Sequence, residues 1–446
     1  MKRVIVLGAG FSRAVSSEMP MTGPLGELIA DRLTSMGIAV PRNRFTGPQL
    51  EAWLSRLAEP QPDLDEPRNL ENRALFLRVS ETLREVLLEC QARVFAGTPD
   101  WWLLKLVGYL HHTNTTAITF NYDTLIESAV DLSRLFDNDL HLVSGSHLLR
   151  GLPPLRLPEP GGLRFGQSRA STFRYLKLHG SLDTFWIPND ATGATIGRLA
   201  FQSGWGRTAG ESDERRRELL PGTSPFIVPP AATKSSFYSN PLTRELWQSA
   251  ARELADADEV ALIGYSLPAT DLVTSGMLAD TLSQDTRVTV VNPSPASIVT
   301  RLLDLGISPG NVATLDGDEC VQAYVNHLES ELSPQIDATA DRDVQLAVGT
   351  GGREHAVIGP IDPSTHGVVR LAAASIHSNA GRDPSLRITL NDLLQHSPVN
   401  SIQIDYGEGR VCSVAATRLV PGPSGAPEYL VLTPTIIPAE LPNSDS

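Results

Sequence analysis

Met1-Lys2-Arg3-Val4-Ile5-Val6-Leu7 runs straight into Gly8-Ala9-Gly10-Phe11-Ser12. The apolar run shows no polar alternation, so the strand it predicts is buried on both faces. It is too short for the core of a signal peptide and directly meets a glycine turn. Strand, glycine turn and helix start form the opening unit of an α/β protein. Glycines let backbone approach a ligand closely, and a helix start offers free N–H groups, so this turn can hold a diphosphate. By itself the turn is weak evidence. Arg13 stands where the usual dinucleotide fingerprint has its third glycine, and Asp31, the nearest acid at the expected distance, falls in a helical stretch.

Further apolar runs repeat the pattern. Ala117-Ile118-Thr119-Phe120, Tyr175-Leu176-Lys177-Leu178, Phe226-Ile227-Val228, Val260-Ala261-Leu262-Ile263 and Val288-Thr289-Val290-Val291 all read as short strands. Helical periodicity occupies residues 24–37 and roughly 50–110, with Leu75, Val79, Leu83, Val86 and Leu87 on one stripe. Thr124-Leu125-Ile126-Glu127 has the spacing of a capping box, which predicts a helix start there, and another helix is expected from about Asp271. Residues 150–172 read as a loop, and 189–225 as a polar excursion or lid. The expected fold is therefore α/β: a Rossmann-like parallel sheet with helical insertions over residues 1–335. Residues 336–446 are rich in Pro and Gly, with β-prone runs at 401–404 and 429–432. They read as a small C-terminal β-rich or mixed domain with a regulatory or assembly role and a disordered tail at 442–446.

The 446 residues carry 51 acidic against 37 basic side chains, a net charge of -14. That balance argues against direct nucleic-acid binding, which needs clustered Lys and Arg. No apolar stretch reaches membrane-spanning length. Three cysteines, Cys90, Cys320 and Cys412, form no Cys-x-x-Cys pair, so a four-cysteine zinc site is excluded, no metal is expected and the compartment reads as cytoplasmic.

Ligands of open parallel sheets bind beyond the carboxyl ends of the strands. Five such points carry polar or glycine residues: Gly8 to Ser12, Asn121-Tyr122-Asp123, His179-Gly180-Ser181, Gly264-Tyr265-Ser266 and Asn292. Each alone has a plainer reading. Asn121 and Asp123 suit a turn or a helix cap. His179 suits a general base or a hydrogen-bonded structural histidine. Gly264, Ser266 and Asn292 suit strand-to-helix turns.

Taken in order, Gly8-Ala9-Gly10-Phe11-Ser12, Thr119-Phe120-Asn121-Tyr122-Asp123, Leu178-His179-Gly180, Gly264-Tyr265-Ser266-Leu267 and Val291-Asn292 resemble the sirtuin family over about residues 1–300. The Asn-Tyr-Asp and Gly-Tyr-Ser-Leu forms, with Val228-Pro229-Pro230, are most similar to the divergent bacterial sirtuin-like proteins of antiphage defence. The resemblance implies NAD as substrate and cleavage of its nicotinamide–ribose bond, an NAD glycohydrolase that depletes NAD when a trigger or partner protein activates it. It implies Asn121 orienting the water or the ribose, His179 as general base, and Gly8, Ala9, Gly10 and Ser12 on the phosphate and nicotinamide-ribose side. It places Asp123 at the carboxamide, Gly264, Ser266 and Asn292 on the adenosine side, and Asp271 as a weaker candidate there. A homo-oligomer and a partner protein of a defence system are the associations it implies. The family's deacylases carry a four-cysteine zinc module after His-Gly, which this chain lacks. A zinc-free deacylase or ADP-ribosyl transferase, or a non-catalytic NAD or ADP-ribose sensor subunit, are the alternatives.

Overall fold

Strand β1 (Arg3–Leu7) is buried along its whole length, as a two-faced strand requires. A computed structural model describes residues 2–46, 48–133, 143–145, 148, 172–187, 197–198, 204–205, 224–228, 241–268 and 271–332, and strands lying between residues 344 and 435. Residues 150–171 of the expected loop, most of the excursion at 189–225 and the tail at 442–446 lie outside the described residues.

After β1 come α1 (Ala9–Val15) and a helical insertion, α2 (Thr22–Ser35), α3 (Pro48–Ala58), α4 (Glu66–Ala96) and α5 (Trp101–Thr113). Asp65 caps α4 by accepting from the Arg68 amide at 3.1 Å. The chain then returns as β2 (Thr116–Thr119), followed by α6 (Leu125–Ser133) and β3 (Tyr175–Lys177). Beyond β3 lie β4 (Gly180–Trp186), β5 (Gly197–Arg198) and β6 (Ser224–Ile227), then α7 (Pro241–Ala255) and β7 (Glu259–Ile263). Next are α8 (Leu272–Thr281), β8 (Arg287–Val291), α9 (Ala296–Asp304), β9 (Val312–Leu315) and α10 (Cys320–Leu332).

The main sheet has six strands in the order β3-β2-β1-β7-β8-β9, and every pairing is parallel. The chain builds outward from β1 to β3, then returns to β1's other edge. Strand order therefore reverses between β1 and β7, the switch point where a doubly wound sheet opens a crevice. Alternate residues face opposite cores. Ile5, Leu7, Ala117, Ala261 and Ile263 join one, while Val4, Val6, Ile118, Leu262 and Val290 join the other. Leu7 pairs with both Thr119 and Ile263, so the central strands end at one level.

Two local expectations are corrected. Phe226-Ile227 belongs not to the parallel sheet but to β6, which pairs antiparallel with β4 in a three-stranded sheet β5-β4-β6. The chain folds back at Gly180, whose φ of +81° and close approach to the Phe226 carbonyl carbon and oxygen exclude a side chain. The sixth parallel strand is β9, a half-exposed edge whose mixed Val-Ala-Thr-Leu pattern hides it in the sequence. The second correction concerns α6. The helix starts where expected, but Glu127 does not reach back to cap it. Its carboxylate instead receives Lys177 Nζ at 2.9 Å, and Gln91 Oε1 takes the Thr124 amide at 2.7 Å. A buried lysine needs the charge more than a helix end needs a second cap.

The C-terminal strands are β10 (Val344–Val348), β11 (Glu354–Ile358), β12 (Val368–Arg370), β13 (Ile376–His377), β14 (Val399–Asp405), β15 (Val411–Pro421) and β16 (Pro427–Thr435). They form a separate seven-stranded sheet whose pairings are all antiparallel. Among the described residues no helix is long and apolar enough to cross a membrane.

Candidate active site

The turns after β1 and β7 are built into each other. The Gly8 amide donates to the Ile263 carbonyl at 3.0 Å, and the Gly10 amide to the Gly264 carbonyl at 2.8 Å. A Cβ on Gly10 would lie 2.8 Å from the Gly264 Cα, and one on Gly8 2.5 Å from the Tyr265 Cα. Gly264 has φ +58°. The glycines thus let the two turns touch, with no room for a Cβ on either. Two of the turn's amides are spent in this way. The amide of Ala9, a half-buried residue, has no described partner. The β7 turn carries a second left-handed residue, the buried Leu267 at φ +45°, an unfavourable conformation for a non-glycine residue.

Asn121 lies just beyond β2 and is buried. Its Nδ2 donates to the Gly8 carbonyl at 2.8 Å and to Ser12 Oγ at 2.8 Å. The Gly8 carbonyl only accepts, so the amide orientation is determined. Ser12 Oγ in turn donates to Asp123 Oδ2 at 2.6 Å. The direction of this relay is set at both ends, and it leaves Asn121 Oδ1 without a described partner. Asp123 Oδ1 accepts from the Leu125 amide at 3.2 Å and so holds the start of α6. Both Asp123 oxygens are thus engaged inside the protein, and the residue is buried.

Beneath this loop Lys177 donates to Glu127 and to the Asp123 carbonyl. Both side chains of the ion pair are about 95% buried, at 4% and 5% exposure. Removing one partner of such a pair strands a buried charge. Lys177→Met is expected to lower unfolding free energy by about 3–5 kcal/mol, read by denaturant titration. A loss below about 1 kcal/mol would mean that the pair is effectively solvated.

His179 occupies the same level one strand over, two residues past the Thr119–Lys177 pair. Its carbonyl accepts from the Val228 amide at 2.9 Å. Its ring lies 5.0 Å from Phe120 and 6.2 Å from Trp247, and Phe120 stacks on Tyr265 at 4.8 Å. An aromatic wall therefore joins the β2, β3 and β7 ends. The Tyr265 hydroxyl donates to Asp271 Oδ2 at 3.2 Å. Burial, with the Asp271 charge second, holds that phenol well above its ordinary pKa and keeps it a donor. Burial also raises Tyr122, whose hydroxyl donates to the Val228 carbonyl at 2.7 Å.

The structure brings Gly8, Gly10, Ser12, Asn121 and Asp123 into direct contact, with Gly264 touching the same turn. Ser266 is exposed on the β7 turn. Asn292 lies just beyond β8, its backbone amide donating to the Leu315 carbonyl, and its side chain closes a local turn by accepting from the Ser294 amide at 3.0 Å. Asp271 sits at the α8 N-cap position but makes no cap bond. It binds Tyr265 and Thr274 instead. The Lys177–Glu127 ion pair and the packing of Phe120, Trp247 and Tyr265 into one wall do not follow from the sequence motifs. A lone lysine inside an apolar two-faced strand was the available signal, since such a charge demands a buried partner. Among the described residues, no group of three or more His, Cys, Asp or Glu side chains is arranged to hold a metal.

No family model and no curated protein matches the chain. The solved structures that align with it include two Sir2 proteins. One addresses the mechanism and regulation of Sir2 enzymes, at 12% identity and TM-score 0.33, covering 75% of this chain and 94% of its own. The other is a Sir2 mutant with a p53 peptide and NAD, at 12% identity and TM-score 0.32, covering 74% of this chain and 92% of its own.

Proposed function

We propose that the chain binds NAD across the crevice at the β1–β7 reversal and hydrolyses its nicotinamide–ribose bond. The observation that carries this reading is the contact of Asn121 with the Gly8–Ser12 turn at the carboxyl ends of β1 and β2, with His179 at the same level beyond the neighbouring β3. The sirtuin-like order of the five sequence motifs supports the choice of ligand. The Ala9 amide offers a hydrogen bond to the diphosphate, and Gly264, Ser266 and Asn292 belong to the adenosine side. Asn121 Oδ1 accepts a hydrogen bond from the attacking water or a ribose hydroxyl. Ser12 and Asp123 hold that amide in place.

In the reaction the C1′–N bond breaks and its electron pair goes to the nicotinamide nitrogen, which leaves neutral. The water oxygen bonds to C1′, and His179 takes the water proton. The products are nicotinamide, ADP-ribose and a proton. The transition state resembles an oxocarbenium ion, so orientation and a placed base can supply the catalysis. Unchecked, this chemistry depletes NAD, which fits a defence effector held inactive until triggered. The test is release of free nicotinamide from NAD by the purified chain, with and without an acylated peptide. Release without peptide supports hydrolysis. Release only with peptide transfers the reading to a deacylase. Binding without release under any condition leaves a sensor.

Residues 336–446 are proposed as a regulatory or assembly module, because their strands form a sheet that shares no strand with the crevice. Deleting residues 340–446 should change oligomer size or activation while NAD binding persists, checked by light scattering and calorimetric titration. A folded truncation that no longer binds NAD would place part of the site beyond residue 336.

A further inference from the structure

We infer that Lys177 is a positioning residue for the proposed NAD reaction, acting through the main-chain carbonyl of Asp123. The inference rests on that reaction, but its first readout does not. Lys177 is 4% exposed and comes from β3, the strand that also delivers His179. Its Nζ reaches across to the loop after β2, where it donates to the Asp123 carbonyl and to Glu127 Oε1 in the first turn of α6. Asp123 is the far end of the relay that fixes Asn121, through Ser12 Oγ at 2.6 Å and Asn121 Nδ2 at 2.8 Å. One ammonium group therefore ties the His179 strand to the Asn121 loop. A charge-assisted hydrogen bond to a loop carbonyl restrains a segment that β-pairing no longer holds, since β2 ends at Thr119.

A purely structural ion pair predicts something different. Replacing both charges by apolar groups of similar volume restores stability in buried pairs, because no charge is left stranded. It does not restore the bond to the Asp123 carbonyl. The experiment compares wild type, Lys177→Met and the double variant Lys177→Met/Glu127→Leu. Hydrogen exchange of the backbone amides of residues 121–125 is measured on the NAD-free full chain. NAD cleavage is measured separately as kcat and KM.

The double variant should melt close to wild type, yet its loop amides should exchange about tenfold faster, the equivalent of one charge-assisted hydrogen bond. Nicotinamide release should fall by about tenfold or more in kcat, with KM moving much less, because the group displaced orients reactants rather than binding the nucleotide. Wild-type exchange in the double variant overturns the inference whether or not the chain cleaves NAD. Faster exchange with wild-type kcat overturns it as well. If the double variant is not recovered folded, Glu127→Gln decides the matter. That change weakens the ion pair and keeps the Lys177–Asp123 contact, so loop exchange should stay within about twofold of wild type. A tenfold rise there would put the restraint in the ion pair and overturn the role of the carbonyl.

Discussion

His179→Ala should lower nicotinamide release by about 10²–10⁴, the usual cost of losing a placed base, and Asn121→Ala, which removes the group orienting the water or ribose, should cause a loss of the same order. The two should differ in what else they change. His179→Ala removes a ring from the wall formed with Phe120 and Trp247, costing about 0.5–1.5 kcal/mol per aromatic contact. Asn121→Ala removes the donor to the Gly8 carbonyl and to Ser12 at about 0.5–1.5 kcal/mol per bond, while the Gly8 carbonyl keeps the Phe11 amide at 2.9 Å. Neither loss unfolds a domain of ordinary stability, about 5–15 kcal/mol. Binding and turnover are therefore measured separately, by calorimetric titration and nicotinamide release on folded protein. A His179→Ala chain that cleaves NAD at the wild-type rate would sink the proposed mechanism.

Gly264→Val is expected to act on the fold itself. A Cβ at Gly264 would lie 2.1 Å from the Phe11 amide nitrogen and 2.3 Å from the Gly10 carbonyl carbon. Both are backbone atoms, so no side chain can swing aside. The φ of +58° adds strain for any residue with a Cβ. The β1 and β7 turns must separate, which breaks the Gly10–Gly264 hydrogen bond and opens the centre of the sheet. The loss should reach about 4–5 kcal/mol or more, the exceptional end for one substitution. Denaturant unfolding reads it directly. Gly10→Val should also destabilise, because its Cβ meets the Gly264 backbone at 2.8 Å. A Gly10→Val protein as stable as wild type but unable to bind NAD would show that the glycine serves the ligand after all.

Much of the fold was legible because it rests on local pattern. Val4 to Leu7, Ala117-Ile118 and Val260 to Ile263 are apolar without alternation, and all are buried in the parallel sheet. Helix boundaries such as Thr22–Ser35 fall within two residues of the periodic stretch. Phe226-Ile227 misled because its apolar character matches that of the parallel strands. Pattern reports burial, and Phe226 and Ile227 are buried too, but in a strand paired with β4. The strand β9 was missed for the opposite reason, since an edge strand buries little and its residues alternate weakly.

The candidate site divides along the same line. The chain by itself determined the α/β class, the apolar runs and the polar residues that end them, because each follows from the chemistry of a few neighbouring residues. Tertiary structure alone decided the order β3-β2-β1-β7-β8-β9, the contact of Gly10 with Gly264, and the diversion of Glu127 from helix cap to partner of Lys177. Those contacts join segments far apart in sequence, and a buried group takes whichever partner best offsets its desolvation. Glu127 had a local amide within reach of its spacing, but a lysine ammonium 50 residues away, enclosed in the same low-dielectric space, was the stronger claim on its charge.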